Sequence, residues 1–419
     1  MISLIIGIMV SLVVTIVGTP LLIKLVHKLN YGQYIRQDGP KSHLVKRGTP
    51  TLGGVVINLA VVLGWCSSAL YRFLTRGEVP SWSAVLVLFA MLSMGFLGFI
   101  DDFAKVRKKQ SEGLTVKGKF IGQFILATIY AVLALILPTK SGFPSAQAGM
   151  SFIEKPFFSF EFAGRVVAIV LFVIWVNFLM TAWTNAINLT DGLDGLAAGS
   201  SMIAFIGYAI IAFWEFYHLK GSDHPGFTYA VSDPLDLTII AACAAVACFG
   251  FLWYNSNPAS IFMGDTGATF LGYILATLSV TGLFKMYAII SFAVPFLILG
   301  VPIFDICFAF LRRIAKGQNP MKADRGHVHH RLIDMGFSQK QAVAISYMLA
   351  AILGLAAVLL TSSGELKALI LIGTIFVVGA IGMRVIFGTQ EPAQKSSSGQ
   401  DESAKSEDPS SASQEEPHA

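Results

Sequence analysis

About eleven apolar runs, most of them about 20 residues long, follow one another along the chain and decide what it can fold into. A run of this length crosses the hydrocarbon core of a bilayer as an α-helix. Only 13% of the residues are charged and 54% are hydrophobic, a balance that is not typical of soluble domains. We therefore predict an all-α, polytopic membrane protein with about 10–11 transmembrane helices. The runs lie near residues 2–23, 52–70, 83–100, 119–138, 166–183, 196–214, 236–254, 268–284, 286–311, 341–361 and 367–386.

The positively charged residues indicate how these helices are oriented. Lysine and arginine concentrate in residues 24–48, 105–119 and 312–340, three loops that lie on one side when every run crosses the membrane. Because short loops rich in these residues remain in the cytoplasm, we place the three loops and the C-terminus inside and the N-terminus outside.

Composition changes near the C-terminus. Residues 1–388 hold all the apolar runs, and we predict that they form a single transmembrane catalytic domain with cytoplasmic active-site loops. Residues 389–419 are rich in serine, glutamate, aspartate, glutamine and proline and lack the apolar side chains of a core. We expect them to form a disordered cytoplasmic tail.

Two adjacent carboxylates, Asp101 and Asp102, end the third run, and Lys105 follows one helical turn later. Ionisable groups at the edge of the hydrocarbon are costly, so their presence favours a functional site. The alternative is a solvated helix end with one surface ion pair between Asp101 and Lys105.

Further polar residues follow the fifth and seventh runs. Asn185, Asn188, Asp191 and Asp194 step by three along the chain and offer oxygen ligands suited to Mg²⁺, or alternatively cap a helix end. Asp265 follows Asn255 in a loop without lysine or arginine, so it favours a metal ligand, with an N-cap as the alternative.

Two basic segments carry groups that suit phosphate. Histidines and arginines at 325–331 donate hydrogen bonds to phosphate oxygens, and they lack the ligand pattern of a zinc site. The loop 39–54, with Lys46, combines cations with Gly/Pro turns and is typical of an anion-binding lid. For both segments the alternative is a basic loop at the lipid surface.

The predicted topology brings all these segments to the cytoplasmic face. Carboxylates for a metal, together with cations for phosphates, indicate phosphoryl transfer beside a bilayer. A transporter would place charges inside the spans, where Asp305 is the main candidate, so this class is disfavoured.

The same motifs resemble those of the polyprenyl-phosphate N-acetylhexosamine-1-phosphate transferase superfamily, in order from residue 30 to about 361. Segments 32–43, 48–51 and 188–192 resemble the branch that uses UDP-MurNAc-pentapeptide. The pattern 326–332, Asp305 after Pro302, and an eleventh run are similar to the WecA/TagO-like branch that uses UDP-GlcNAc. We favour the first branch and keep the second as the alternative.

The resemblance implies a reaction, its partners and the residues that act. A hexosamine phosphate passes from a UDP-sugar to undecaprenyl phosphate in a bacterial plasma membrane, with Mg²⁺ as cofactor and UMP released. For the favoured branch the product is lipid I, a peptidoglycan precursor. We expect no nucleic-acid partner, and the sequence leaves a homodimer open.

The resemblance assigns three groups of residues to this reaction. Asp101, Asp102 and Asp265 are the catalytic residues, the first two beside the lipid phosphate. Asp265 holds Mg²⁺, with Asn188 as co-ligand. The nucleotide-sugar binds Lys46, Lys105, Asp191, Asp194, Asn255, His327, His329, His330 and Arg331.

Overall fold

The computed structural model describes residues 1–29, 49–108, 113–138, 145, 149–150, 158–159, 164–219, 234–281, 300, 313–314 and 328–363. All of them belong to one compact unit, Met1–Ala368. The expected domain boundary near residue 388 and the tail that follows lie outside the described residues.

Ten helices account for most of the part of the chain that the structure describes. They are α1 (Ile2–Lys28), α2 (Gly54–Arg76), α3 (Trp82–Lys108), α4 (Val116–Ile136), α5 (Arg165–Thr190), α6 (Leu196–Leu219), α7 (Pro234–Asn255), α8 (Gly264–Thr281), α9 (Val328–Asp334) and α10 (Gln339–Ser363). Two strands, β1 (Gly149–Met150) and β2 (Phe158–Ser159), form a short antiparallel pair in which Gly149 lies opposite Ser159.

Eight of the described helices, α1 to α7 and α10, are long and apolar enough to cross a membrane. The prediction of an all-α, polytopic membrane protein is therefore confirmed. Apart from residue 300, the predicted runs near 286–311 and 367–386 fall outside the described residues. The run near 268–284 corresponds to α8, which is not among the eight.

Helix α1 shows the polarity that a bilayer imposes on a helix. Its buried face is made of small and weakly polar residues, whereas its exposed face carries large apolar side chains. Small residues let membrane helices approach closely, and large apolar ones meet lipid. The buried residues are Ser3, Gly7, Ser11, Thr15, Thr19 and Val26, and the exposed ones include Ile5, Met9, Val13 and Leu21.

Helix α8 occupies the centre of the bundle, where it packs against α2, α3, α5 and α6. Its approach to α3 depends on Gly98, because a Cβ there would lie 2.6 Å from the carbonyl oxygen of Asp265. This close approach brings the C-terminal end of α3 against the N-terminal end of α8. Asp101, Asp102 and Asp265 meet at that point.

A buried ion pair joins three helices at the opposite end of the bundle. The Arg72 guanidinium near the end of α2 contacts Asp236 in the first turn of α7. The second carboxylate oxygen of Asp236 accepts hydrogen bonds from the Ser81 hydroxyl (2.6 Å) and backbone N–H (3.2 Å), just before α3. Both charged side chains are almost fully buried, and Asp236 depends on Arg72 for its counter-charge, whereas Arg72 also lies 3.9 Å from Glu78.

Removing one partner of this pair is expected to destabilise the protein. Arg72→Met leaves the Asp236 carboxylate buried without a counter-charge, which costs roughly 3–5 kcal/mol. Thermal unfolding in detergent should show a clear fall in Tm. The control is Arg76→Met, which removes an arginine that is 59% exposed and lies 3.6 Å from Glu78, and should leave Tm nearly unchanged. Equal Tm values for the two variants would contradict this role.

Candidate active site

Asp102 binds the N-terminus of α8. One of its carboxylate oxygens accepts from the backbone N–H of Asp265 (3.1 Å), and the other accepts from the N–H (2.8 Å) and hydroxyl (2.7 Å) of Thr266. These are orphan donors of the first helical turn, and a carboxylate there is also favoured by the helix dipole. Only 3% of Asp102 is exposed. The capping that the sequence offered as an alternative for Asp265 is thus performed by Asp102, which leaves the Asp265 side chain available for other contacts.

Asp101 positions the start of α4. Its Oδ1 accepts a hydrogen bond from the Leu114 N–H at 2.7 Å, and a Cβ on Gly113 would lie 2.4 Å from the same oxygen. Thr115 then caps α4 by accepting from the Gly118 N–H at 3.1 Å. As a result, Lys119 in the first turns of α4 lies beside the carboxylates of α3 and α8.

Two lysines link the three carboxylates. Lys105 Nζ lies 2.7 Å from Asp101, 3.0 Å from Asp265 and 3.5 Å from Asp102. Lys119 Nζ lies 2.6 Å from Asp265 and 2.9 Å from Asp101. The side chains of both lysines remain more than a quarter exposed, whereas Asp101 and Asp102 are almost fully buried. We call these five residues the acid–lysine cluster.

The charges of the cluster favour an ionised Asp265. Burial raises the pKa of Asp265, but the ammonium groups of Lys105 and Lys119 outweigh it and hold that pKa well below its usual range. Asp265 therefore stays a carboxylate throughout the physiological pH range. The cluster as a whole holds three carboxyl groups and two ammonium groups.

The donor set fits a divalent cation that prefers oxygen ligands. One carboxylate oxygen each from Asp101, Asp102 and Asp265 lie within 4.8 Å of one another. Mg²⁺ is bound in proteins by one or two carboxylates, with waters and substrate phosphates completing its octahedron. Because both Asp102 oxygens are occupied by α8, Asp265 and Asp101 are the better ligands of the three.

A second group of polar residues lies where α5, α7 and the loop before α8 meet. Asp194 accepts from the Asn257 side chain (3.0 Å) and the Ala259 N–H (3.3 Å). Asn255 accepts from the Gly195 N–H (3.1 Å) and donates to the Ile261 carbonyl (2.8 Å). Asp194 and Asn255, both predicted to bind the nucleotide, are thus buried and hold the loops that surround the site.

The remaining predicted site residues are only partly described. Asp191 ends α5, and Asn188 lies half-buried in its last turn. Among the described contacts, none joins Asn188 to Asp265, so its role as co-ligand stays a prediction. His329, His330 and Arg331 belong to α9. Lys46 and His327 lie outside the described residues.

Lys119 is the site residue that sequence reasoning missed. The sequence placed it only among the basic residues that orient the protein. One signal was available, because Lys117 and Lys119 stand at the start of an apolar run, where the helix dipole disfavours positive charge. A lysine at that position needs a carboxylate partner from elsewhere in the fold.

The fold and the cluster together define a class of protein. A membrane helix bundle presents ionised carboxylates and lysines at one end, and this combination is typical of enzymes that transfer phosphoryl groups beside a bilayer.

The sequence is similar to a known enzyme family and to named members of it. A model of glycosyl transferase family 4 matches residues 84–283. The chain is 94% identical over 290 residues to a phospho-N-acetylmuramoyl-pentapeptide-transferase of Bifidobacterium adolescentis, covering 69% of this chain and 80% of that protein. It is 82% identical over 280 residues to the enzyme of that name from Bifidobacterium longum (67% and 76%). It is 39% identical over 360 residues to the enzyme of that name from Corynebacterium kroppenstedtii, covering 85% of this chain and 97% of that protein.

The chain therefore belongs to glycosyl transferase family 4, within the branch of the phospho-N-acetylmuramoyl-pentapeptide-transferases (MraY), and it is a phosphotransferase enzyme. The family membership inferred from the motifs is confirmed.

Proposed function

We propose that the protein transfers phospho-MurNAc-pentapeptide from UDP-MurNAc-pentapeptide to undecaprenyl phosphate, giving lipid I and UMP. The observation that carries the proposal is the acid–lysine cluster, which combines a metal-binding set of carboxylates with two cations for phosphates. The names of the relatives support the muramoyl-pentapeptide donor. The active site then faces the cytoplasm of a bacterial cell, where UDP-sugars are made.

In this reaction an oxygen of the lipid phosphate attacks the phosphorus attached to the sugar. The bond from that phosphorus to the bridging oxygen breaks, and UMP leaves with the electron pair. The second pKa of a phosphate monoester is about 6, so the acceptor is largely dianionic at neutral pH and little proton abstraction is needed. Asp101 therefore acts by orienting the lipid phosphate, and we favour direct attack over a covalent aspartyl intermediate.

The lysines and Asp265 act on the pyrophosphate. Lys105 and Lys119 turn their ammonium groups toward phosphate oxygens, where negative charge moves during transfer. Asp265, with Asp101 and the predicted co-ligand Asn188, would hold Mg²⁺ at this point. When bound, Mg²⁺ would supply neutralisation of the negative charge on the pyrophosphate. Asp102 keeps Asp265 in place through the α8 N-terminus.

A second donor, UDP-GlcNAc, is favoured by the features of the sequence that resemble the WecA/TagO-like branch, above all its histidine segment. The spacing of His327, His329 and His330 is similar to that of the WecA/TagO-like branch, whose reaction starts teichoic acid or other envelope polysaccharides. The same acid–lysine cluster serves either donor, because both present a uridine pyrophosphate to it.

Release of UMP tests the reaction and the donor together. Purified protein is mixed with Mg²⁺ and undecaprenyl phosphate, and either UDP-MurNAc-pentapeptide or UDP-GlcNAc is added. We expect UMP from the muramoyl-pentapeptide donor, and none when the lipid phosphate is omitted. Turnover of UDP-GlcNAc alone would replace the proposed donor by the second one. No UMP from either sugar would overturn the proposal.

A further inference from the structure

Tyr347 of α10 forms a contact that the reaction described above does not use. Its hydroxyl donates a hydrogen bond of 2.5 Å to the carbonyl oxygen of Gly195. The two residues are 152 positions apart in the chain. Gly195 ends the loop that carries Asp191 and Asp194, between α5 and α6. The apolar helix α10 therefore binds the backbone of the Asp191–Gly195 loop, which is predicted to contact the nucleotide.

Gly195 is held through both of its backbone polar groups. Its carbonyl accepts from Tyr347, while its N–H donates to Asn255 Oδ1 at 3.1 Å. Gly195 has φ of 82°, a conformation that side-chain-bearing residues rarely adopt, so this peptide has a defined and unusual orientation. Next to it, Asp194 accepts from the Asn257 side chain and the Ala259 N–H. Asp194 and Gly195 thus belong to a small network of loop contacts, to which Tyr347 adds the hydrogen bond to the Gly195 carbonyl.

The ring of Tyr347 is fitted to the start of α6. A Cβ on Gly199 would lie 2.0 Å from Tyr347 Cζ and 2.1 Å from its hydroxyl oxygen. The ring therefore lies directly on the backbone of α6, in space that only a glycine leaves open. A side chain packed in this way has little rotational freedom, so its hydroxyl is held in place for the Gly195 carbonyl.

An apolar cluster beside Tyr347 connects the loop before α6 to α9, the helix that carries His329 and His330. A small apolar cluster is formed by Leu193 and Leu196 with Ala342 and Val343 of α10. Two further side chains pack against it, Leu332 of α9 and Tyr347 of α10. The turn between α9 and α10 is defined by Gly336, with φ of 95°. It is also closed by reciprocal hydrogen bonds between Ser338 and Gln341. The α9–α10 unit, which carries His329, His330 and Arg331, is thereby attached to the Asp191–Gly195 loop.

We propose that Tyr347 is a positioning residue for the nucleotide-sugar: it fixes the Gly195 peptide and thereby the relative placement of the Asp191–Asp194 loop and the histidine helix. The inference rests on the proposed function, since it assumes that these two segments face the nucleotide-sugar. Tyr347 acts through the loop and touches neither substrate. Its loss should therefore weaken the use of the UDP-sugar while sparing the lipid phosphate.

The test is Tyr347→Phe, which keeps the ring and removes only the hydroxyl. We expect KM for the UDP-sugar to rise about tenfold, the factor that corresponds to the loss of one buried hydrogen bond, and UMP binding by calorimetry to weaken in step. KM for undecaprenyl phosphate should stay within about twofold of wild type. Gly199→Ala, whose new Cβ displaces the ring, should change the same KM in the same direction.

Tyr130→Phe is the matched control. The Tyr130 hydroxyl is also buried and also donates to a backbone carbonyl, that of Thr277, at 3.1 Å, but far from the loop in sequence and contacts. If the role of Tyr347 is only structural, Tyr347→Phe and Tyr130→Phe should both lower Tm, and neither should change a KM. That result, or an equal rise of both KM values in Tyr347→Phe, would overturn the inference while wild-type turnover still supports the proposed function. A wild type that neither releases nor binds UMP would overturn both.

Discussion

Asp265→Ala is expected to lower the transfer rate by at least about a thousandfold, and added Mg²⁺ should not restore it. Asp265 is the most accessible of the three clustered carboxylates, and its pKa is held well below the usual range by Lys105 and Lys119. It is therefore the ionised oxygen ligand best placed to bind a cation between the protein and a pyrophosphate. Rates of UMP release over a range of Mg²⁺ concentrations measure the effect.

The control for this variant is Asp334→Ala. Asp334 is an exposed carboxylate at the end of α9, so its removal should leave both the rate and the Mg²⁺ dependence unchanged. Asp102 caps α8 through backbone N–H groups, and Asp265→Ala leaves these groups in place. The Asp265→Ala variant should therefore still fold. Near-normal turnover in Asp265→Ala would show that the metal is bound elsewhere in the site.

The membrane fold and the three aspartates were predictable because the bilayer makes them conspicuous. Apolar runs predict the membrane helices, and a carboxylate at the end of such a helix is costly, which indicates a functional site. Asp101 and Asp102 were selected on that ground and Asp265 because its loop carries no lysine or arginine, and the structure brings the three together. The sequence did not predict that Asp102 caps α8, because that contact depends on the close packing of α3 and α8 at Gly98.

The second group of polar residues shows a different limit. Asn255 and Asp194 were predicted to bind the nucleotide-sugar, yet the sequence does not indicate that their side chains hold the loop backbone. Tyr347 was not recognised at all. An aromatic residue inside an apolar run looks like an ordinary core or lipid-facing side chain. Only the contact with Gly195, across 152 positions, distinguishes it.

Lys119→Met is expected to slow transfer by about a hundred- to a thousandfold, the usual cost of removing one preorganised charge that stabilises the transition state. The lysine contacts Asp265 at 2.6 Å and Asp101 at 2.9 Å, and its side chain remains partly exposed. The matched control is Lys117→Met, which removes an exposed lysine two positions earlier on α4 and should leave the rate nearly unchanged.

The response to Mg²⁺ should separate Lys119 from Asp265. Removing an ammonium group leaves three carboxylates with one counter-charge, so the site becomes more negative and should bind the cation more tightly. We therefore expect the Mg²⁺ concentration for half-maximal rate to fall in Lys119→Met, while the maximal rate drops. In Asp265→Ala the rate drops without recovery at any Mg²⁺ concentration. A rise in the Mg²⁺ requirement of Lys119→Met would mean that this lysine supports the metal ligands rather than the phosphates.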